Sequence, residues 1–494
     1  MAIPKVCGLE TEYGIVHRGV ADPNPVLASS LLVNAYVEGH RVGWDFGDET
    51  PGNDARGPGL AMFAPEIETH LANAVLTNGS RFYVDHAHPE YSTPECRTPL
   101  GLLIADRAGE EILRRAMSIV NSRLGDGQEI VVYKNNSDGK SNSYGCHENY
   151  LIDRSIPFQS IVGAMLPWFV SRQVICGSGK VGSEHGAAAV DYQISQRADF
   201  FEETVGLETT LKRPLVNTRD EPHADASTFR RLHVIAGDAN CAETSTFLKV
   251  ACTAMVLAAL EDEVLPTDMS LRDPVSAVRE ISHDPSLRAS VERTDGRRVT
   301  ALEMQWQFFD ACSKHAAEHG FEAVGEESEI ELALNLWERV LTALEDDPLR
   351  LDGVLDWPTK LSLIRRFAER DALEPGNPKL ALIDLQYHDM RHDRSLYQRL
   401  LRNGHMETLV SQADVVHAIL NPPETTRAYF RGRCLQEWPD AVVSANWDSM
   451  VLDVGTSPLR RIPMMDPLKG TREHVEGLFA ECQTPAALVA RLIT

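Results

Sequence analysis

Apolar and polar residues alternate in several short segments of the first half of the chain. A period of two residues is typical of strands that bury one face. The pattern predicts strands over Val6–Val16, Arg81–His86, Glu129–Lys134, Ser143–Ile152 and Leu232–Gly237. Loops rich in Gly, Pro, Asn and Asp separate these segments, as expected of turns.

The second half repeats apolar residues every three or four positions. This spacing predicts helices over Ala301–His319, Ile330–Leu344 and Thr359–Glu369, where core packing explains the apolar stripes. Because strands come first and helices follow, the pattern predicts an α+β fold rather than alternating strand–helix units. The Gly43–Pro58 segment is dense in Gly, Pro and Asp, which predicts a long, mobile loop. The Asn421–Pro423 segment predicts a boundary between a domain over 1–424 and a small C-terminal domain over 425–494.

Composition narrows the class of protein. The most apolar stretch, Ile156–Cys176, is interrupted by polar residues, which predicts a buried helix rather than a membrane span. The start of the chain has acidic residues where a signal peptide needs an apolar run, so export is not expected. The nine cysteines are odd in number and widely spaced without a C-x-x-C motif, so a reducing cytoplasm is expected. The formal net charge of −24 disfavours nucleic acid as a partner.

Two early strands carry acidic residues on one face. In GLETEYG, Glu10 and Glu12 occupy alternate positions, so both point the same way. If that face is buried, a cation is needed to offset the charges; an exposed strand face is the alternative. In RFYVDHAHPE, Arg81, Tyr83 and Asp85 share the polar face. A guanidinium suits phosphate and carboxylates suit Mg²⁺, so these residues indicate a metal–nucleotide site.

Later strands add two histidines. His147 follows Cys146, and His233 shares a face with Arg231. A lone strand histidine is usually a hydrogen-bonded core residue, but two of them beside paired acids leave a functional role open. Neighbouring strand residues face opposite ways, so Cys146 and His147 are not predicted to form a nucleophile–base pair. The GSGKVG segment lacks the flanking pattern of a dinucleotide fingerprint or a P-loop.

Seven motifs, in this order, resemble the Pup ligase/depupylase family, a group of carboxylate–amine ligases related to glutamine synthetase. They are GLETEYG, RFYVDHAHPEYSTPE, YKNNSD, SYGCHENYL, VNTRDEPHADASTFRRLHVIAGDAN, DLQYHDM and SANWDSM. The resemblance implies a glutamine-synthetase-like antiparallel sheet cradle flanked by helices, with ATP and Mg²⁺ as cofactors.

The resemblance also implies roles for individual residues. Asp85 matches the catalytic aspartate. The expected metal ligands are Glu10, Tyr83 and Glu90, together with Glu12, His147 and His233, which match further metal or phosphate positions. The expected nucleotide contacts are Arg81, Thr93, Trp447 and Arg231. Candidates for binding phosphate or a substrate carboxylate are Arg219 and Arg230.

Two members of this family run opposite reactions on Pup, a small ubiquitin-like protein. The ligase consumes ATP to join the C-terminal Glu of Pup to a protein lysine. The depupylase hydrolyses that bond, or deamidates a C-terminal Gln of Pup, and retains ATP as a cofactor. The short DHAHPE turn and the room for an inserted loop around Gly43–Leu60 favour the hydrolase. The pattern is also compatible with a generic amino-acid ligase and with a catalytically silent scaffold that binds Pup.

An acidic partner needs a local basic surface on a chain of such negative charge. Pup resembles a disordered acidic peptide, so the resemblance implies a basic groove with apolar positions. Arg427, Arg431 and Arg433, interleaved with Tyr429 and Phe430, are the candidates for that groove. The expected partners are Pup and pupylated proteins, and the expected state is a monomer in the cytoplasm.

Overall fold

A six-stranded antiparallel sheet lies at the centre of the protein. The computed structural model describes residues 1–38, 42–47, 49–57, 71–184, 186–266 and 268–493. The strands follow, across the sheet, the order Phe229–Val234, Cys146–Asp153, Cys7–Glu12, His88–Ser92, Arg81–Asp85 and Asn73–Val75. This sheet, with the helices that cover it, confirms the predicted α+β class.

Strand register places the acidic and histidine side chains on one face of this sheet. Glu12 pairs with Glu90, and Glu90 pairs with Tyr83 on its other side. Glu10 pairs with His147 in the same way. Directly opposed residues of a ladder point to the same side, so these side chains share what we call the polar face.

The opposite face of the sheet is apolar. Leu9, Phe82, Val84, Tyr91 and Leu232 are each at most 4% exposed. The helices that contact this face are Pro25–Tyr36, Pro99–Asn121 and Glu243–Glu261. Burial of this face, at about 25 cal/mol per Å² of apolar surface, stabilises the sheet and fixes its register.

Two helices are apolar enough to be compared with membrane-spanning helices. The Glu243–Glu261 helix is long and apolar enough to cross a bilayer, but 94% of that stretch is buried inside the protein. The predicted buried helix at 156–176 is confirmed as Phe158–Ser171 followed by Gln173–Cys176, and its apolar residues lie in the main core. Both are therefore core helices.

The three helices predicted in the second half are confirmed. The Ala301–His319 helix begins at a capping box, in which Thr300 and Glu303 bond each other's backbone. The other two extend to Glu327–Asp346 and Asp356–Asp371. This half also contains the helices Pro274–Ser282, Pro378–Tyr387, Leu396–Arg402 and Gln412–Ala418, and short 3₁₀ turns lie at Ala198–Phe200 and Pro348–Leu351.

The strand over 6–16 is split in two, which the alternation did not predict. Cys7–Glu12 joins the central sheet, whereas Gly14–Arg18 pairs with Glu129–Tyr133. Buried Tyr13 lies between them. The other two-stranded pairs are Lys180–Val181 with Tyr192–Gln193, Phe201–Gly206 with Arg213–Asn217, and Ser290–Glu292 with Arg298–Thr300. The GSGKVG segment therefore enters a short hairpin and opens no helix, in agreement with the sequence.

The C-terminal residues build a sheet that includes part of the predicted loop. Its strands are, in order, Arg460–Pro463, Ser449–Leu452, Val442–Ala445 and Gly43–Trp44. Its helices are Ala428–Glu437, Arg472–Glu481 and Pro485–Ile493. The Gly43–Trp44 strand thus connects the N-terminal half with the C-terminal sheet. The remaining described residues of the predicted loop, 45–47 and 49–57, contain turns, and residues 48 and 58–60 lie outside the described residues. The domain boundary at 424/425 stays a prediction.

Candidate active site

Glu10, His147 and His233 form a first group of metal-ligating side chains on the polar face. One ligand atom from each lies within 4.8 Å of the other two. The His147 Nδ1 atom is 3.5 Å from Glu10 Oε2, and the two imidazole rings meet edge-on with centroids 5.0 Å apart. We call this group the histidine cluster.

Asn149 fixes the orientation of His233. The Asn149 amide nitrogen donates to Glu10 Oε1 at 2.8 Å, so its Oδ1 is the acceptor. That oxygen accepts from Arg231 NH1 at 2.8 Å and lies 3.0 Å from His233 Nδ1, which must therefore carry the proton. The buried Nε2 atom of His233 is left as a lone pair without a hydrogen-bond partner among the described residues. A histidine held through one nitrogen with the other free is typical of a metal ligand.

The electrostatics of the histidine cluster suit a cation. Burial, partly offset by Glu10, lowers the pKa of His233 well below its ordinary value, so the imidazole is neutral. Burial alone would raise the pKa of Glu10, but the hydrogen bond with His147 and the Arg231 charge hold that pKa well below its usual range. The cluster therefore presents the ionised Glu10 carboxylate beside the neutral imidazole of His233.

Glu12, Asp85 and Glu90 form a second group, which we call the carboxylate cluster. Their nearest oxygens also lie within 4.8 Å of one another. Burial and the charges of Asp85 and Glu12 raise the pKa of Glu90 well above its ordinary value. A bound cation would therefore favour the ionised form of Glu90 over the protonated one. Clustered carboxylate oxygens are the ligands that Mg²⁺ prefers.

Asp85 ends its strand where the polar face opens into a cavity of about 940 Å³. His86 follows with φ of 50°, an uncommon conformation for a residue with a side chain, and places its Nδ1 3.0 Å from Asp85 Oδ2. Although burial opposes ionisation, this contact holds the pKa of Asp85 below its ordinary value. The expected catalytic aspartate is therefore an ionised carboxylate at a cavity wall.

The same cavity is lined by residues that the sequence did not single out as site residues. His88 pairs with Asp85 across the turn, lies 3.6 Å from Glu12 Oε2, and packs its ring 4.5 Å from that of Tyr144. Its signal in the sequence was its place two residues before Glu90, on the same strand face.

Arg197 also lines the cavity and has no signal in the sequence. It is 1% exposed, yet its Nε and NH1 atoms lack a hydrogen-bond partner among the described residues. Burial and the nearby charge of Arg213 lower the pKa of Arg197 to about 10, so it remains a cation. A buried guanidinium with unused donors is suited to bind an anionic group.

Arg81 lies between aromatic rings. Its guanidinium carbon is 4.1 Å from the ring centre of Trp44 and 3.9 Å from that of Tyr83, and its Nε donates to Asn73 Oδ1 at 3.0 Å. Burial and the charge of Glu90 raise the pKa of Tyr83 well above its ordinary value. Tyr83 is therefore a neutral phenol, which can offer a metal only an uncharged oxygen.

The other expected nucleotide contacts line a second, smaller pocket at the start of the central strand. Its walls include Thr93, Arg231, Trp447 and Glu10. The Thr93 hydroxyl accepts from the Leu9 amide at 3.0 Å, which fixes its position. Glu10 thus belongs to both this pocket and the histidine cluster.

Arg219 and Arg230 have different surroundings. Arg219 pairs with Asp54 in an isolated backbone bridge, and its charge adds to the effect of burial in lowering the pKa of Arg231. Arg230 precedes Arg231 on its strand, so its side chain points away from the polar face, and its guanidinium lies 5.5 Å over the Phe158 ring. The structure brings Arg231 into the site and does not place Arg230 there.

The predicted basic groove at Arg427, Arg431 and Arg433 is not an exposed surface. Arg431 is fully buried; it donates to Glu95, to Gly79 O at 2.8 Å and to the Trp447 carbonyl at 3.1 Å. Arg427 is 3% exposed and donates to Glu95 Oε1 at 2.7 Å. Of the three, Arg433 alone reaches the surface in part, where it pairs with Glu437. Arg427 and Arg431 therefore point into the protein and pair with Glu95, which the sequence did not identify as their partner.

Known proteins resemble this chain over most of its length. The family model described as Pup-ligase protein matches residues 5–451. The chain belongs to the Pup ligase family. It is 47% identical to the depupylase of Acidothermus cellulolyticus and 45% identical to the Pup deamidase/depupylase of Mycolicibacterium smegmatis, in each case over 99% of both chains. It is 40% identical to the Pup–protein ligase of Mycobacterium bovis, over 83% of this chain and 90% of the ligase.

Solved structures of the Pup ligase family support the fold. The crystal structure of the complex between Pup and its ligase PafA matches with a TM-score of 0.82 and 32% identity, over 99% of this chain and 94% of that chain. A structure of PafA in complex with ADP matches with a TM-score of 0.76 and 36% identity, over 83% and 89% of the two chains.

Proposed function

We propose that this protein is a Pup deamidase/depupylase, a hydrolase of linear amide bonds that depends on ATP and Mg²⁺. The observation that carries the proposal is the full-length identity to enzymes with that name, whereas the Mycobacterium bovis ligase aligns with less of the chain. The enzyme hydrolyses the isopeptide bond between the C-terminal Glu of Pup and a substrate lysine. It also converts a C-terminal Gln of Pup to Glu.

Asp85 is the catalytic residue of this proposal. Hydrolysis adds water across the amide: the carbonyl carbon gains a hydroxyl, and the nitrogen leaves as ammonia or as the lysine amine after taking a proton. The ionised Asp85 carboxylate either removes a proton from the attacking water, or attacks the carbonyl to form an anhydride that water then hydrolyses. Arg197 and Arg213, on the same cavity, supply positive charge for the oxygen that becomes negative.

The cofactors fit the residues of the polar face. The histidine and carboxylate clusters would hold divalent cations. Two observations support this: His233 Nε2 has no hydrogen-bond partner among the described residues, and the pKa of Glu90 is raised. Thr93, Arg231 and Trp447, which line the smaller pocket, would contact the nucleotide, and Arg81 would supply a positive charge for its phosphates. When bound, Mg²⁺ acts as a Lewis acid that polarises phosphate or carbonyl oxygens.

Pup and pupylated proteins are the proposed partners. The 940 Å³ cavity leads to Asp85 and is large enough to receive an extended C-terminal segment of a peptide. All nine cysteines are buried free thiols, which suits the reducing cytoplasm that we propose as the location. We also propose a monomer, with a catalytic domain over 1–424 and a small C-terminal domain over 425–494.

A deamidation assay tests the proposal. The protein is mixed with Mg-ATP and with Pup that ends in Gln, and released ammonia is measured beside the mass of Pup. We expect stoichiometric conversion by the wild type and its loss in Asp85→Asn. Asp138→Asn, an exposed acid on the wall of the same cavity, is the matched control and should retain activity. Deamidation that survives in Asp85→Asn would show that the assigned mechanism is wrong.

The Pup ligase reaction is the second candidate, because the 40% identity to a ligase extends over most of the chain. Pup that ends in Glu, an acceptor protein and Mg-ATP distinguish the two. Attachment of Pup to lysine with one ADP formed per bond, and no ammonia from the Gln form, would establish the ligase instead.

A further inference from the structure

A third group of metal-ligating side chains lies outside both cavities. Asp262 follows the Glu243–Glu261 helix, while His315 and His319 lie on the last turns of the Ala301–His319 helix. One ligand atom of each residue lies within 4.8 Å of the other two. We propose that these residues form a separate binding site for a divalent transition-metal ion of the Zn²⁺ type.

The geometry needs only small side-chain movements to close around an ion. His315 Nε2 lies 2.8 Å from Asp262 Oδ2, and His319 Nδ1 lies 3.9 Å from the same oxygen. The two rings are stacked, with centroids 4.9 Å apart and planes inclined by 19°. Ligand atoms at about 2.0–2.2 Å from Zn²⁺ are separated by roughly 3.4 Å in a tetrahedron. The side chain of His319 is 37% exposed, so it has room to make this adjustment.

The donor set identifies the class of ion. Two histidines one helical turn apart and one carboxylate are the ligands of many three-residue zinc sites, whose fourth position is taken by water. Imidazole nitrogens favour Zn²⁺ over Mg²⁺, which prefers oxygen ligands alone. This site therefore differs in preference from the carboxylate cluster of the polar face.

The surroundings indicate a structural role. Asp262 and His315 are buried, with side chains 6% and 5% exposed, and the amino group of Met1 lies 3.3 Å from Asp262 Oδ1. The preceding residue, Glu261, accepts from the Ile3 amide at 2.8 Å and pairs with Lys5. An ion on Asp262 would thus connect two core helices next to the segment that leads into the Glu10 strand. Binding to the folded state alone raises its stability by mass action.

Zinc titration of the full-length protein tests this site. Bound Zn²⁺ equivalents are counted by calorimetry, and the thermal midpoint is recorded with and without Zn²⁺. Since the histidine cluster can also take Zn²⁺, the informative quantity is the difference between variants. We expect His319→Ala to bind one equivalent fewer than the wild type, or to bind it at least 10-fold more weakly, and to lose part of the zinc-dependent rise in thermal midpoint.

Glu318→Ala is the matched control, because Glu318 is an exposed neighbour on the same helix that belongs to no ligand group among the described residues. It should bind Zn²⁺ as the wild type does. His315→Gln is a second variant, in case removal of one ligand leaves weak binding, and should lose the same equivalent. Equal stoichiometry, affinity and thermal shift in the wild type and His319→Ala would overturn the proposal. Deamidation in Mg-ATP is expected to be unchanged in His319→Ala, so this test is separate from that of the proposed function.

Discussion

Replacing Asn149 by Leu removes a side chain that contacts three site residues at once. Its amide donates to Glu10 at 2.8 Å and accepts from Arg231 at 2.8 Å and from His233 at 3.0 Å. Leucine has a similar volume, so the variant removes the polar contacts without opening a cavity. The expected result is a loss of metal affinity at the histidine cluster.

The size of the expected loss of metal affinity follows from the hydrogen bond that His233 loses. Without an acceptor at Nδ1, the proton can move to Nε2, which blocks the lone pair that faces the metal. An unpaired buried donor costs about 1–3 kcal/mol. Removal of a partner that orients a ligating histidine typically weakens metal binding by about 10–100-fold. Since each tenfold change is about 1.4 kcal/mol, the two approaches agree on roughly 1.4–2.8 kcal/mol.

The assay is the Mg²⁺ or Mn²⁺ concentration that gives half-maximal deamidation of Pup at saturating ATP. Asn142→Ala is the matched control, since Asn142 lines the 940 Å³ cavity and its side-chain amide donates to Asp138 at 2.7 Å rather than to a cluster residue. Circular dichroism and the thermal midpoint establish that both variants fold. If Asn149→Leu requires no more metal than Asn142→Ala, the hydrogen bond from His233 Nδ1 to Asn149 does not contribute to metal binding.

Three further outcomes are expected. Glu90 has a raised pKa and keeps its proton at low pH, so Mg²⁺ affinity should rise as pH rises through that pKa. Calorimetry of Mg²⁺ binding in buffers of different ionisation enthalpy should show that a proton is released. Binding without proton release would contradict the raised pKa of Glu90. Trp44→Leu should weaken ADP binding about 2–30-fold because Arg81 loses a cation–π contact, whereas Trp438→Leu, packed on Phe479, should not. Arg431→Met leaves Glu95 with one partner and should lower the free energy of unfolding by about 3–5 kcal/mol in urea, whereas an unchanged midpoint would contradict its structural role.

Side-chain alternation predicted which residues share a face of the sheet. Glu10 with Glu12, and Arg81 with Asp85, emerge on the polar face because a strand has a period of two whatever its neighbours are. Side-chain alternation did not predict the order of the strands in the sheet. That order depends on pairings between segments that are far apart in the chain, and the fold came from the resemblance to the family rather than from the pattern.

The contacts that could not be predicted from the sequence join residues that are distant in the chain. Asn149 bonds Glu10 across 139 positions, and the Arg431–Glu95 pair spans 336 positions. A run of arginines with aromatic residues between them is typical of a basic surface, and only the packed structure shows that two of them are buried against an acid. No sequence pattern around Arg197 identifies it as a site residue. What singles it out is that it is buried without a full set of hydrogen-bond partners among the described residues, and only the folded structure shows this.

Under the proposed function, the carboxylate cluster would connect a bound metal ion with the reacting carboxylate of Asp85. Asp85 lies within 4.8 Å of Glu12 and Glu90, so its ionisation raises the pKa of Glu90, and a proton on Glu90 in turn removes a ligand. Under the proposed function, a cation that neutralises Glu12 and Glu90 also determines the charge that Asp85 experiences. Bound Mg²⁺ would then influence the catalytic group as well as the phosphates, which would explain why a hydrolase that need not consume ATP still requires a metal–nucleotide complex.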